Sequence, residues 1–208
     1  MTVLAPRRPR LAIVGGLLTV LMAILATTGV LRSIDQYAVD HLMPWLEVRR
    51  HPFVTFGTLT VPGFDPPAAK AALELWTYPA ALLPSLLIVL AVGWRLVRRD
   101  AIVWCALWLA GNAIELAGKL TLRKPDLYHH SIHVTAFDTS LPSGHTIRAL
   151  ILAGVVACAW RSGRLALVWA ATVPVALVVE GAHTPSDVVA GVFVVLTLAA
   201  WAPDMRRA

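Results

Sequence analysis

The chain has 208 residues, 58% of them hydrophobic and 14% charged, with a mean hydropathy of +0.70. A soluble domain carries about 25% charged residues, so this balance excludes an ordinary soluble domain and suits one set of membrane spans. The net charge of +6 lies in cations clustered between apolar segments, which fits orientation in a bilayer and gives no reason to expect nucleic acid as a partner.

Six apolar segments read as spans, at about 11–31, 74–97, 101–118, 144–160, 164–181 and 187–202. They predict an all-α, polytopic six-helix bundle forming a single integral membrane domain over residues 1–208. The first follows Arg7, Arg8 and Arg10. Its apolar run exceeds the roughly 7–15 residues of a signal core, so it is read as a retained span. Residues 32–73 read as a surface segment. They hold an amphipathic stretch around Ile34 to Leu46, an apolar run from Phe53 broken by Pro62, and a Gly/Pro-rich piece from Val61 to Pro67. Cys105 and Cys158 both fall in apolar runs and read as buried free thiols.

Lysine and arginine in short loops set the orientation. Arg7, Arg8 and Arg10, then Arg95, Arg98 and Arg99, then Arg161 and Arg164, then Arg206 and Arg207 all fall on one side of six spans. That side is the expected cytoplasm and holds both termini, with Trp94, Trp160 and Trp201 at its interface. The opposite, extracytoplasmic side then carries residues 32–73, 119–143 and 182–186. There Lys119, Arg123 and Lys124 run against the positive-inside tendency, and charge held near a membrane in this way suggests a use.

Two histidine clusters share that side. Pro142-Ser143-Gly144-His145 opens one apolar run: serine suits a helix cap, glycine lets a ligand approach the main chain, and the positive end of a helix attracts phosphate. His183-Thr184-Pro185-Ser186-Asp187 opens another, with Pro185 suited to a first helical turn and Thr184 or Ser186 as cap. His183 and Asp187 are four apart, so a helix or a turn brings them together. A carboxylate on one ring nitrogen makes the other more basic. Read blandly, the first cluster is a capped helix with an interfacial histidine, and the second a structural His–Asp pair.

These residues resemble the type 2 phosphatidic acid phosphatase family of membrane lipid phosphatases. That family's signature is Lys, six residues, Arg-Pro; then Pro-Ser-Gly-His; then Ser-Arg, five residues, His, three residues, Asp. The second part is intact at 142–145, and the His and Asp of the third are His183 and Asp187. The resemblance implies that His183 attacks phosphorus, that Asp187 orients it, and that His145 protonates the leaving oxygen and then activates water. Lys119, a cation at Arg123 or Lys124, and the Ser143-Gly144 backbone are implied to hold the phosphoryl oxygens, with no metal and no cofactor. The chain departs from the signature in three places. Arg-Pro reads Lys124-Pro125, the lysine position holds Ala117 with Lys119 two residues closer, and Ser-Arg is replaced by Ala176 and Leu177. Lysine does not reproduce a bidentate guanidinium.

Arg148, three residues after His145, is expected either to take the place of the absent arginine or to pair with Glu180. Glu115 is expected to pair with Lys119, four residues on. His129, His130 and His133 read as part of a lid over the site, since they show poor metal spacing and no evident acid partner. The expected function is hydrolysis of a phosphomonoester or diphosphate on a membrane lipid in a plasma membrane of bacterial type. Polyprenyl diphosphate or phosphate, phosphatidylglycerol phosphate and phosphatidate are the candidate substrates. A lipid phosphoryltransferase and a non-catalytic lipid-phosphate-binding relative remain as alternatives, and a homo-oligomer stays open. A transporter gains little, because the ionisable residues gather at one surface instead of lining a path.

Overall fold

The structure is a computed structural model and describes residues 7–44, 46, 55–56, 59–60 and 68–203. Phe53 and Pro62, the piece from Val61 to Pro67, and Arg206 and Arg207 lie outside the described residues. Among those described there are eight α-helices: α1 (Pro9–Thr27), α2 (Arg32–His41), α3 (Ala68–Thr77), α4 (Leu82–Gly93), α5 (Arg98–Thr121), α6 (Gly144–Ala159), α7 (Leu165–Val179) and α8 (Pro185–Leu198). Strand is confined to two short antiparallel pairs. In one, β1 (Thr55–Phe56) pairs with β2 (Leu59–Thr60); in the other, β3 (Tyr128–His129) pairs with β4 (Ile132–His133).

The protein is therefore helical and of membrane type. Among the described residues three helices are long and apolar enough to cross a bilayer: α1, α5 and Ser162–Val179, which includes α7. A fourth crossing results if the bent pair Ala68–Ala80 and Leu82–Gly93 acts as one span. The two remaining apolar helices, α6 and α8, have 16 and 14 residues, short of the roughly 20 that a straight span needs.

The segment expected as one span over 74–97 differs most. It starts at Ala68, bends by 48° at Ala81 and ends at Gly93. Pro84 explains the bend, because it has no N–H for the carbonyl of Ala80 and its ring crowds that carbonyl. Ala81 takes an extended conformation (ψ 159°), and the freed Ala80 oxygen accepts a hydrogen bond from Arg148 Nε at 2.7 Å. A break between two helices thus supplies an acceptor to a buried cation on a third.

The amphipathic reading near Ile34 corresponds to α2, which buries Asp35, Ala38 and Val39 along one stripe. α6 lies at the centre, with most of its residues buried and with α4, α5, α7 and α8 all packed on it. One core cluster joins α2, α6 and α7 through Val39, Ala149, Ala153, Val173 and Leu177. A second joins α4, α5, α6 and α8 through Val89, Trp104, Ile151, Val155 and Val194. At the end of the bundle away from the histidines, Arg7 lies 4.0 Å from Asp100, and Arg95 stacks on Trp160 at 5.2 Å.

Candidate active site

The chain ends α7 with a Schellman motif, in which Gly181 adopts φ +74°, its N–H donates to the Val178 carbonyl and that of Ala182 to the Leu177 carbonyl. A side chain at Gly181 would be strained in this region of φ. The tight exit places His183 one residue before Thr184, the N-cap of α8, with Pro185 in the first helical turn. His183 is thus outside the helix, and a turn brings it to Asp187: His183 Nδ1 stands 3.6 Å from Asp187 Oδ2, just beyond hydrogen-bonding distance.

His145 reaches the same place from α6. Ser143 caps that helix, its hydroxyl accepting from Thr146 N at 3.3 Å, and its own N–H donates to the Asp187 carbonyl at 2.9 Å. The amides of Gly144 and His145 follow in the first turn, where an α-helix offers no intrahelical acceptor. Gly144 has no room for a side chain, because a Cβ there would overlap the Glu115 carboxylate. The His145 and His183 rings lie 6.2 Å apart between centroids.

Behind His183 is a buried network rich in carboxylate. Asp187 is fully enclosed, and its Oδ2 accepts from Ser140 Oγ at 2.7 Å and from Thr184 N at 2.9 Å. Lys124, 4% exposed, turns inward and donates to Thr184 Oγ1 (2.6 Å), Asp187 Oδ1 (2.8 Å), Asp35 Oδ2 (3.2 Å) and Ser186 Oγ (3.3 Å). Four protein oxygens surround an ammonium that the sequence suggested for phosphate.

Beside His145 is a second network, rich in cations. Glu115 on α5 accepts from Lys119 Nζ at 2.6 Å and from Arg148 Nη1 at 2.5 Å. Arg148 also donates to Asn112 Oδ1 at 2.9 Å and, through Nε, to Ala80 O. Its ion pair is therefore with Glu115 and not with Glu180, whose carboxylate accepts from Thr77 Oγ1 at 3.3 Å. Lys119 is partly exposed. Arg123 is more so, its side chain 75% exposed and 3.8 Å from Asp138.

The loop between α5 and α6 has the acid partners that the histidine reading lacked. His133 Nε2 is 2.9 Å from Asp138 Oδ1 and 3.5 Å from Asp126 Oδ1, and the three residues have ligand atoms close enough to hold a metal ion. The His133–Asp138 bond also fastens the β3–β4 hairpin to the turn that follows it. Asp35, Ser140 and Asn112 were not singled out from the sequence. For Asp35 a signal existed, namely a carboxylate on the same helical face as Ala38 and Val39.

An apolar cleft adjoins these residues between α1, α5 and α8, lined by Ala23, Ile114, Gly118, Leu141, Pro142 and Val194 among others. Pro142 is one residue from Ser143, and Gly118 is one residue from Lys119.

Comparison with curated proteins gives no match, and neither does comparison with solved structures. A family model does match, over residues 105–208, which takes in most of α5, all of α6 to α8, and every residue from Lys119 to Asp187 described above. Half of the chain, including both histidine-bearing helix starts, is covered by the description "PAP2 superfamily", and the chain belongs to that superfamily of phosphatases.

Proposed function

We propose that the protein is a membrane lipid phosphatase that hydrolyses a phosphomonoester or diphosphate on a lipid through a phosphohistidine. The observation that carries this reading is the approach of His145 and His183 at two helix starts, with the enclosed Asp187 carboxylate behind His183. In the first step His183 Nε2 attacks phosphorus. The P–N bond forms, the bond to the leaving oxygen breaks, and His145 gives that oxygen a proton. In the second, His145 takes a proton from water, the water oxygen attacks phosphorus, and the P–N bond breaks to release phosphate. Asp187 orients His183 and offsets the charge that the ring gains.

Phosphoryl transfer depends mainly on positioning and on neutralising the equatorial oxygens. Lys119, Arg148 and the Gly144 and His145 amides are the groups we assign to those oxygens, with Ser143 shaping the helix start; Arg123, mostly in solvent beside Asp138, is assigned none of them. Lys124 serves from behind by holding Asp187. No metal is assigned a role. The apolar cleft beside Pro142 suits the hydrocarbon part of a lipid substrate, which favours polyprenyl diphosphate or phosphate, phosphatidylglycerol phosphate or phosphatidate over a soluble ester.

The topology proposed with this function has six crossings, counting α3–α4 as one and α6 and α8 as short central spans. Both termini are cytoplasmic, and the histidines face out of a bacterial plasma membrane. Its support is the gathering of Arg7, Arg95 and their partners at the far end of the bundle.

The test is phosphate release by detergent-purified protein from the four lipid phosphates named, with chelator present and His183→Ala as control. Release that vanishes in the variant supports the reading. A folded wild-type protein that releases nothing from any of them overturns it.

A further inference from the structure

Asp35 lies on α2, seventy residues before the segment that the family model matches, yet its carboxylate is buried against the site (3% exposed). Its Oδ1 accepts from the backbone N–H of Ser186 at 3.0 Å, and its Oδ2 accepts from Ser186 Oγ at 2.6 Å and from Lys124 Nζ at 3.2 Å. From these contacts we infer that Asp35 is a positioning residue for the reaction at His183, acting through Lys124 and through the first turn of α8. The inference rests on the phosphatase reading.

Two effects combine. The first is geometric. Ser186 precedes Asp187, and its N–H is one of the four that an α-helix leaves without an internal partner. Asp35 takes that N–H from a different helix, while Asp187 takes the N–H of Thr184 from within. The α8 start is thereby held from both sides, and with it the carboxylate that faces His183.

The second effect is electrostatic. Lys124 lies between two carboxylates, at 3.2 Å from Asp35 and 2.8 Å from Asp187. Were Asp187 its sole acidic partner, the ammonium would cancel most of the negative charge that His183 feels. With Asp35 sharing the cation, two carboxylates face one ammonium, and Asp187 keeps part of its charge for the imidazole.

α2 is also fixed to the loop that carries Lys124. Gln36 Nε2 donates to the Tyr128 carbonyl at 2.6 Å, Tyr128 N donates to Gln36 Oε1 at 3.0 Å, and Arg32 Nε donates to the Asp126 carbonyl at 3.2 Å. These bonds join the helix that carries the carboxylate to the loop that carries the lysine. A buried ion pair contributes little net stability, because desolvation offsets attraction, so stability alone is a weak reason for this arrangement.

The experiment compares wild type, Asp35→Asn, Asp35→Glu and Ser186→Ala as purified full-length protein, with kcat, KM and thermal unfolding measured on whichever lipid phosphate the wild type hydrolyses. Asp35→Asn keeps the size and an acceptor for the Ser186 N–H but removes the charge. Its expected kcat is lower by about tenfold or more with KM within about twofold, since Lys124 is then left to Asp187 alone and cancels charge that would offset the positive ring in the transition state. Asp35→Glu recovers part of kcat, and Ser186→Ala, which removes the hydroxyl's contacts with Asp35, Lys124 and Thr184 but no charge, loses about threefold. Unchanged kcat in Asp35→Asn, or a loss confined to KM, overturns the inference. Should Asp35→Asn fail to fold, Ser186→Ala decides: a kcat equal to wild type overturns it. A folded wild type with no activity overturns the phosphatase reading and this inference together, whereas an active wild type with an equally active Asp35→Asn overturns this inference alone.

Discussion

The two histidines stand beside opposite kinds of buried charge. At His183, Asp35 and Asp187 surround one cation, Lys124. At His145, Lys119 and Arg148 share one carboxylate, Glu115. A surplus of carboxylate favours a ring that must become positive, and a surplus of cation attracts an anionic phosphoryl group. The bundle thus divides a small site into a half suited to a nucleophile and a half suited to phosphate. The division is made by side chains two or more helices apart, with α2 and the α5–α6 loop serving one half, and α5 with the α3–α4 break serving the other.

The predictions test that division, in order of expected size. On the proposed mechanism His183→Ala removes the group that receives phosphorus, and phosphate release is expected to fall by at least about a thousandfold in a steady-state assay. A loss matched by His145→Ala but absent in His183→Ala would reverse the assignment of the two halves. Lys124→Met leaves Asp35 and Asp187 buried without their cation. Breaking a buried pair in this way costs about 3–5 kcal/mol, and a large drop in the thermal unfolding midpoint in detergent is expected together with loss of turnover. If Lys124→Met unfolds like wild type but binds phosphate poorly, Lys124 belongs to the phosphate half instead.

Arg148→Ala comes next. Lys119 stays beside Glu115, so the carboxylate keeps one partner and the protein folds, while kcat/KM falls by about ten- to a hundredfold. Arg148→Lys recovers little of it, because an ammonium does not reach Glu115, Asn112 and the Ala80 carbonyl in the same planar arrangement. Preserved turnover in Arg148→Ala would reduce the cation-rich half to a structural clamp. The smallest effect is expected for Arg123→Ala. Its side chain is mostly in solvent, and its ion pair with Asp138 is long, so activity changes by about twofold or less. A loss as large as that of Arg148→Ala would move the phosphate outward to the loop.

Several elements were legible because they depend on local rules. The helix starts at Ser143 and Pro185 follow from capping chemistry, and the pairing of Glu115 with Lys119 follows from helical spacing. The amphipathic face of α2 was also readable. The break at Ala81 was readable in principle from Pro84, but the mostly apolar stretch over 74–97 masks it when hydropathy alone marks the span. The partner of Arg148 was misplaced for a different reason. Spacing along the chain brings Glu180 to mind, but which of two distant carboxylates meets a guanidinium depends on how α5 and α7 pack on α6. The same holds for Asp126 and Asp138, which meet His133 through the fold of one loop.

By itself the sequence determined the membrane class, the helical content, and the residues from Lys119 to Asp187 that place the chain in its superfamily. These follow from composition, from periods of a few residues, and from short motifs, all of which are properties of neighbours along the chain. Only the tertiary structure decided which cation faces which carboxylate. Lys124 is 89 residues from Asp35 and 63 from Asp187, while Arg148 is 33 from Glu115. Charges brought together from such distances in a water-poor interior each need an opposite partner within reach, and the packing of helices, not their sequence order, settles which partner that is.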